Sequence, residues 1–87
     1  MKRKEFMQEA KLENTWNRIH SFMSNGKEYH IGTVLWQKNP WKLVDTKDFE
    51  KIKDRGDKSQ ILHECHSQQD LWNYFKSLEK INHENPN

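Results

Sequence analysis

The sequence predicts a small α+β domain in which helices pack on a three-stranded, mostly antiparallel sheet, in the order helix, strand, strand, short helix, strand, helix. Three observations predict this class. Apolar residues recur at helical spacing near both ends of the chain, and they alternate with polar residues in its middle. Glycine and proline interrupt these patterns where turns are expected. The length of 87 residues leaves room for one domain, residues 1–87.

The composition favours an aromatic core. Hydrophobic residues and charged residues each make up 32% of the chain, against roughly 45–50% and roughly 25% in an average domain. Aromatic residues reach 11%, and each buried ring removes roughly 150–250 Å² from water. We therefore expect a folded domain with a small, ring-rich interior and polar ends.

The first helix is predicted over residues 12–23. Its apolar residues lie three or four positions apart and form one stripe, which makes Trp16 a core residue. They are Leu12, Trp16, Ile19 and Met23, with Phe22 beside them. The sequence Asn25-Gly26 then ends the helix, because glycine readily adopts the left-handed conformation of many helix ends.

Residues 1–11 do not continue this stripe. On one continuous helix, Phe6 and Met7 would point away from it, so the helix either starts near the capping residues Asn14 and Thr15 or carries two apolar patches. Two interpretations of residues 1–11 stay open. They are a mobile, solvated terminus, or a segment whose Phe6 and Met7 dock on a partner or a second copy of the chain.

Two strands are predicted in the middle of the chain. In residues 28–37 both alternating faces carry apolar side chains, so both sheet faces are expected to be covered. Gly32 marks a bulge or a close approach by another backbone. A turn at residues 37–40 leads to a second strand, residues 41–44, antiparallel to the first.

A short charged helix and a third strand follow. The helix starts at residues 45–46 and ends at Gly56, with Phe49 and Ile52 on its buried side. Residues 60–65 form the third strand. The strand order stays open, and a crossover through the short helix would make the second and third strands parallel, with a right-handed connection.

The last helix begins after a capping sequence. Residues 67–70 resemble a capping box with Asp70 in place of the preferred Glu or Gln. The helix then runs to about Asn82, and Leu71, Phe75 and Leu78 form its inner stripe. The tail, residues 83–87, is expected to be loose.

Catalytic and metal-binding patterns are weak. The most suggestive cluster is His63, Cys65 and His66, of which His63 and Cys65 could bind zinc together with His30, although the spacing matches no established zinc motif. The carboxylates alternate with Lys and Arg, as on a solvated helix face, and the three glycines form no phosphate-binding loop. We therefore expect neither an enzyme nor a cofactor.

A nucleic-acid-binding regulator is the alternative function. Basic residues are frequent between positions 38 and 58, beside Trp36 and Trp41. Basic side chains bind the phosphates of nucleic acids, and aromatic rings stack on the bases. The candidates are Lys38, Lys42, Lys47, Lys51 and Arg55. Acidic residues in the same region leave only a small local excess of positive charge, and the net charge of the whole chain is +2.

Binding to a protein is the leading hypothesis. Four tryptophans are many for so small an interior, so some apolar surface is expected to stay exposed and to anchor a partner or a second copy of the chain. The candidate anchors are Phe6, Met7, Trp36, Trp41 and Trp72. The short, Lys/Glu/Asn/Trp-rich style resembles that of small accessory proteins of phages and other mobile elements, which implies an inhibitor of a host protein.

A cytoplasmic location is expected by elimination. The basic start of the chain is not followed by an apolar run, so it does not resemble a secretory signal. No apolar stretch is long enough to span a membrane, so no membrane partner is expected. Cys65 is the single cysteine, which rules out an internal disulfide and favours a reducing compartment.

Overall fold

The computed structural model describes residues 1–12, 16–53 and 58–84, with side chains described to residue 81. The described elements are two helices, four strands and one 3-10 turn. In chain order they are α1 (Arg3–Glu9), β1 (Arg18–Ser24), β2 (Lys27–Thr33), β3 (Trp41–Val44), the 3-10 turn Phe49–Lys51, β4 (Ile61–Cys65) and α2 (Gln68–Glu84). The α+β class is confirmed, but the antiparallel sheet has four strands, in the order β1-β2-β3-β4.

The predicted helix over residues 12–23 is wrong, because the second half of this segment, residues 18–23, lies in the hairpin strand β1. Asn25 and Gly26 have φ values of 52° and 79°, so they form a two-residue turn between β1 and β2 rather than a helix end. Residues four apart share one face in a strand as well as in a helix, so the Ile19–Met23 spacing fits both. The Asn-Gly pair is the signal that favours the hairpin.

The middle strands follow the prediction more closely. β2 ends at Thr33, earlier than predicted, because the chain turns where the Gln37 N–H donates to the Val34 carbonyl. β3 has the predicted bounds, and its antiparallel pairing with β2 is confirmed by the register Thr33↔Trp41.

The last two strands are antiparallel, so the connection between them is not the parallel crossover that the sequence left open. Val44 at the end of β3 pairs with Ile61 at the start of β4, and the Asp45 N–H donates to the Gln60 carbonyl at 2.8 Å. The connection therefore leaves and re-enters the sheet at the same end, which requires antiparallel strands. The predicted short helix is reduced to the 3-10 turn, which Asp48 caps by accepting from the Glu50 N–H. The predicted helix end at Gly56 lies outside the described residues.

The last helix is confirmed. The Ser67 hydroxyl accepts from the Asp70 N–H at 3.2 Å, as the capping sequence predicts. Leu71 and Phe75 are fully buried, and Leu78 packs at the border of the core. The helix extends to Glu84, beyond the predicted end. Within the described ranges, neither helix is both long and apolar enough to cross a membrane.

The two helices cover one face of the sheet, called here the helix face. Its core is built from aromatic rings in mutual contact. They are Phe6, Phe22, Tyr29, Trp72 and Phe75, with neighbouring ring centroids 4.7–6.2 Å apart. The first residues are therefore not a mobile terminus, because α1 carries Phe6 into the centre of this core.

The opposite face, called here the second face, has a smaller core. Val34, Val44 and Ile52 are buried there, with half-buried apolar side chains around them. Gly32 permits this packing, since a Cβ atom at that position would lie 2.6 Å from Ile52 Cδ1. The predicted close approach at Gly32 is thus made by a side chain, and the β1–β2 register runs through it without a bulge.

Candidate functional site

The strand register separates the predicted zinc ligands. Trp41 and Leu43 of β3 pair with Cys65 and His63, whereas Val44 pairs with His30. Because side chains alternate between faces, His30 lies on the second face and the other two lie on the helix face. The zinc hypothesis for these three residues is therefore wrong. Among the described residues, no three His, Cys, Asp or Glu side chains converge on a metal position.

Cys65 is enclosed in the helix-face core. Its thiol donates to the Ser67 carbonyl at 3.5 Å, and His63 beside it stacks on Tyr74 with ring centroids 3.8 Å apart. Burial, reinforced by the negative charge of Asp70, raises the pKa of the Cys65 thiol. Since the thiolate is the reactive form, this environment favours packing over nucleophilic chemistry.

A serine, a histidine and a carboxylate line up on the second face, which the sequence analysis did not anticipate. Ser21 Oγ lies 2.6 Å from His30 Nδ1, and Glu28 Oε1 lies 3.7 Å from His30 Nε2. The second separation is too long for a hydrogen bond, so Glu28 does not hold the ring as the acid of a catalytic triad does. The contact serves to join β1 to β2.

The predicted nucleic-acid site is divided by the fold. Lys42 is fully buried and Trp41 is half-buried on the helix face. Lys47 pairs with Glu28 at the start of β2, whereas Trp36 follows the other end of this strand. Because β2 has 7 residues, roughly 20 Å separates its two ends. Lys38 and Lys51 remain exposed. Arg55 lies outside the described residues.

Lys42 is instead the centre of a buried ionic contact on the second face. Its ammonium group donates to Glu64 Oε2 at 2.7 Å and to the Asn39 carbonyl at 2.8 Å. Lys58 lies 3.4 Å from the other oxygen of Glu64. The hydrogen bond and charge of Lys42 hold the pKa of Glu64 below its usual value, against the opposing effect of burial.

The predicted partner-binding residues do not form one surface. Phe6 and Trp72 are buried in the helix-face core, where Phe6 stacks on Phe75 and lies at a tilt against Trp72, so they are removed from any docking surface. Met7 and Trp41 are half-buried against the same core. Trp36 alone among them is largely exposed, at 59%.

Trp36 is one of three exposed apolar residues on two neighbouring chain segments at one end of the sheet, called here the tryptophan end. They are Trp16, Leu35 and Trp36, which are 65%, 50% and 59% exposed. The prediction that Trp16 is a core residue is wrong, since this residue precedes a strand at the rim of the sheet rather than lying inside a helix.

Two contacts fix the chain segments that carry this surface. The Leu35 N–H donates to Asn17 Oδ1 at 2.9 Å, which joins the segment before β1 to the segment after β2. Asn17 adopts a positive φ of 53°, a conformation that Asn tolerates better than most residues. The Trp36 ring meets Phe49 edge-on, with centroids 6.2 Å apart. The tryptophans are thus presented by braced loops.

One sequence signal for this surface is the Asn25-Gly26 pair, which is typical of a two-residue hairpin turn. A hairpin at this position places the chain before β1 beside the chain after β2, and so brings Trp16 near Leu35 and Trp36. Which rings stay exposed depends on how far the helices and the 3-10 turn reach over the sheet, and no local pattern encodes that.

Comparisons with protein families, with curated proteins and with solved structures gave no significant match for this chain.

Proposed function

We propose that this chain is a small non-catalytic binding module that holds a protein partner on the tryptophan end. The observation that carries the proposal is the exposure of Trp16, Leu35 and Trp36 on two segments joined by the Asn17–Leu35 hydrogen bond. Large exposed apolar groups placed side by side are typical of interaction surfaces. Tryptophan is also among the residues that contribute most to protein interfaces.

The bracing of these segments supports the same proposal. The Gln37 side chain donates to the Lys53 carbonyl at 3.0 Å, and Trp36 rests against Phe49. A ring that is already held in place loses less conformational entropy when a partner covers it. We also propose that the chain acts in the cytoplasm, because the free, buried thiol of Cys65 is compatible with a reducing compartment.

The test uses a double variant, Trp16→Ala/Trp36→Ala. Its matched control is Leu62→Ala/Ile81→Ala, which removes equally exposed apolar groups. A partner retained from an extract of the source cells is identified by mass spectrometry, purified, and titrated by calorimetry. We expect the tryptophan variant to raise Kd by at least about 100-fold and the control to leave it nearly unchanged. Equal affinity for both variants overturns the proposal.

A blocking role is the finer part of this proposal. The style of the sequence resembles that of phage and mobile-element accessory proteins, so we expect the identified partner to lose activity when the chain is bound. Full activity of the partner in the saturated complex contradicts inhibition while leaving binding intact.

Nucleic-acid binding is the second candidate, favoured by the exposed Lys38 close to the exposed Trp36. A single-stranded oligonucleotide titrated at low and at high salt tests it. Affinity that falls steeply with salt and is lost in Lys38→Ala supports this candidate, and no quenching of tryptophan fluorescence at low salt rejects it.

A further inference from the structure

β1 is a long and regular edge strand, because β2 is its one neighbour in the sheet that the described residues form. β1 has 7 residues and pairs with β2 without a register shift. Among the backbone hydrogen bonds between described residues, none reaches its outer edge. The opposite edge strand, β4, is shorter, and its pairing with β3 carries a register shift of the kind that discourages further strand pairing.

The hairpin geometry determines which backbone groups face this outer edge. A two-residue turn makes the flanking pair Ser24↔Lys27 hydrogen-bonded, and bonded and non-bonded pairs then alternate along an antiparallel ladder. The N–H and C=O groups of Ile19, Ser21 and Met23 therefore point away from β2. These three residues form the hydrogen-bonding set of the edge.

This set is complementary to itself. When two β1 strands pair antiparallel about a two-fold axis at Ser21, Ser21 meets its own copy and Ile19 meets Met23 of the other strand. All three outward-facing residues then enter hydrogen-bonded pairs, with two bonds in each. Moving the axis to a neighbouring residue leaves Ile19 or Met23 without a partner in the set.

The side chains fit the same register. Ile19 is half-buried and Met23 is 58% exposed on the second face, so each apolar side chain would cover the other across the axis. Ser21 places a small group at the axis itself. Arg18 would lie opposite Ser24, so the two arginines are kept at opposite ends of the paired strands.

We infer that two copies of this chain associate through β1, antiparallel and centred on Ser21, to form a continuous eight-stranded sheet. The inference goes beyond the proposed function and uses a different surface. If the chain proves to be a monomer, the proposed partner binding at the tryptophan end still stands. If partner binding fails, the proposed dimer still stands.

The first test measures molar mass by sedimentation equilibrium. We expect a mass twice the 10.6 kDa of the chain, falling toward the monomer on dilution. Met23→Lys introduces an edge charge opposite Ile19 and should weaken the dimer at least about tenfold. Leu62→Lys is the matched control, because Leu62 is an equally exposed apolar residue on the other edge strand, and it should leave the dimer intact. A wild-type monomer up to about 1 mM overturns the inference.

The second test reads the register. In the proposed pairing the two Ser21 Cα atoms lie about 5.5 Å apart, within the range of a disulfide. We expect Ser21→Cys to form a covalent dimer under mild oxidation, while Leu62→Cys stays monomeric on a denaturing gel. A dimer that resists Met23→Lys, or that cross-links through Leu62→Cys and not through Ser21→Cys, assigns the contact to another surface and overturns the inference.

Discussion

The two faces of the sheet differ in how completely they are covered. On the helix face, α1 and α2 enclose five aromatic rings between themselves and the strands. On the second face, the segment around Ile52 covers only a small cluster, and Met23 and Trp36 remain more than half exposed nearby. The comparison teaches that the stability of this domain comes mainly from one face, while the surfaces available for binding lie at the margins of the other.

The largest expected effect comes from emptying the helix-face core. Phe75 is fully buried and contacts Phe6, Phe22, Tyr29 and Trp72, so Phe75→Ala should lower the free energy of unfolding by about 4 kcal/mol. Phe49→Ala deletes the same group from a half-buried position on the second face and should cost about 1–2 kcal/mol. Urea denaturation measures both. Equal losses would contradict the difference between the faces.

The buried ion pair is the next most sensitive feature. Glu64→Gln removes the counter-charge of the buried Lys42 ammonium and leaves it only neutral carbonyl oxygens as acceptors, which should cost about 3 kcal/mol. Glu50→Gln removes an exposed partner of Lys53 and should change stability by less than about 1 kcal/mol. Adding Lys42→Met to Glu64→Gln should recover part of the loss. No recovery would show that the charge of Lys42 is not the source of the cost.

A substitution at Gly32 should have a smaller effect on stability, and a second substitution at Ile52 should relieve it. Gly32→Ala should cost about 2 kcal/mol, because the added methyl group collides with Ile52 Cδ1. Ile52→Val removes that carbon atom. The double variant should therefore be less destabilised than the sum of the two single variants in thermal unfolding. Strict additivity would mean that Ile52 does not approach Gly32 as described.

The smallest expected effect concerns pH. Burial, with the nearby charges of Lys11 and Arg18, lowers the pKa of His20 below its ordinary value of 6.5. The unfolded chain then binds a proton more readily, so this stabilisation is present above about pH 6.5 and is lost as the pH falls through the lowered folded-state pKa. We expect Tm to fall between pH 7.5 and pH 5.5, and His20→Gln to reduce that fall.

His66→Gln, a change on an exposed ring, is the matched control for this experiment. An unchanged Tm in wild type across this range would contradict the assignment. Glu64 adds a separate acid-labile contribution, because its lowered pKa stabilises the fold above about pH 4.5 and this stabilisation is lost at lower pH.

Sequence patterns predicted the elements whose signals are local. The bounds of β3 followed from a short apolar run after Pro40, and the start of α2 followed from Ser67 as a cap. The β1 hairpin was missed because the positions of Ile19 and Met23 suit a helix and a strand alike. The Asn25-Gly26 turn decides between them, although the same pair also suits a helix end.

The candidate site was predicted only at Trp36. Burial of Phe6 and Trp72 depends on α1 and α2 meeting over the sheet, a long-range contact that residue spacing does not encode. The burial of Lys42 likewise depends on residues distant in sequence, since Glu64 of β4 provides its counter-charge. Alternation along β3 shows which face Lys42 occupies but not what covers it.

The most direct test of the contrast between the faces is the solvent exposure of the four tryptophans. The protein is labelled with 5-fluorotryptophan, and each fluorine signal is assigned from a Trp→Phe variant and titrated with a soluble paramagnetic agent. We predict strong broadening for Trp16 and Trp36, intermediate broadening for Trp41, and the least for Trp72. Protection of Trp16 and Trp36 equal to that of Trp72 would contradict an open tryptophan end and the binding role built on it.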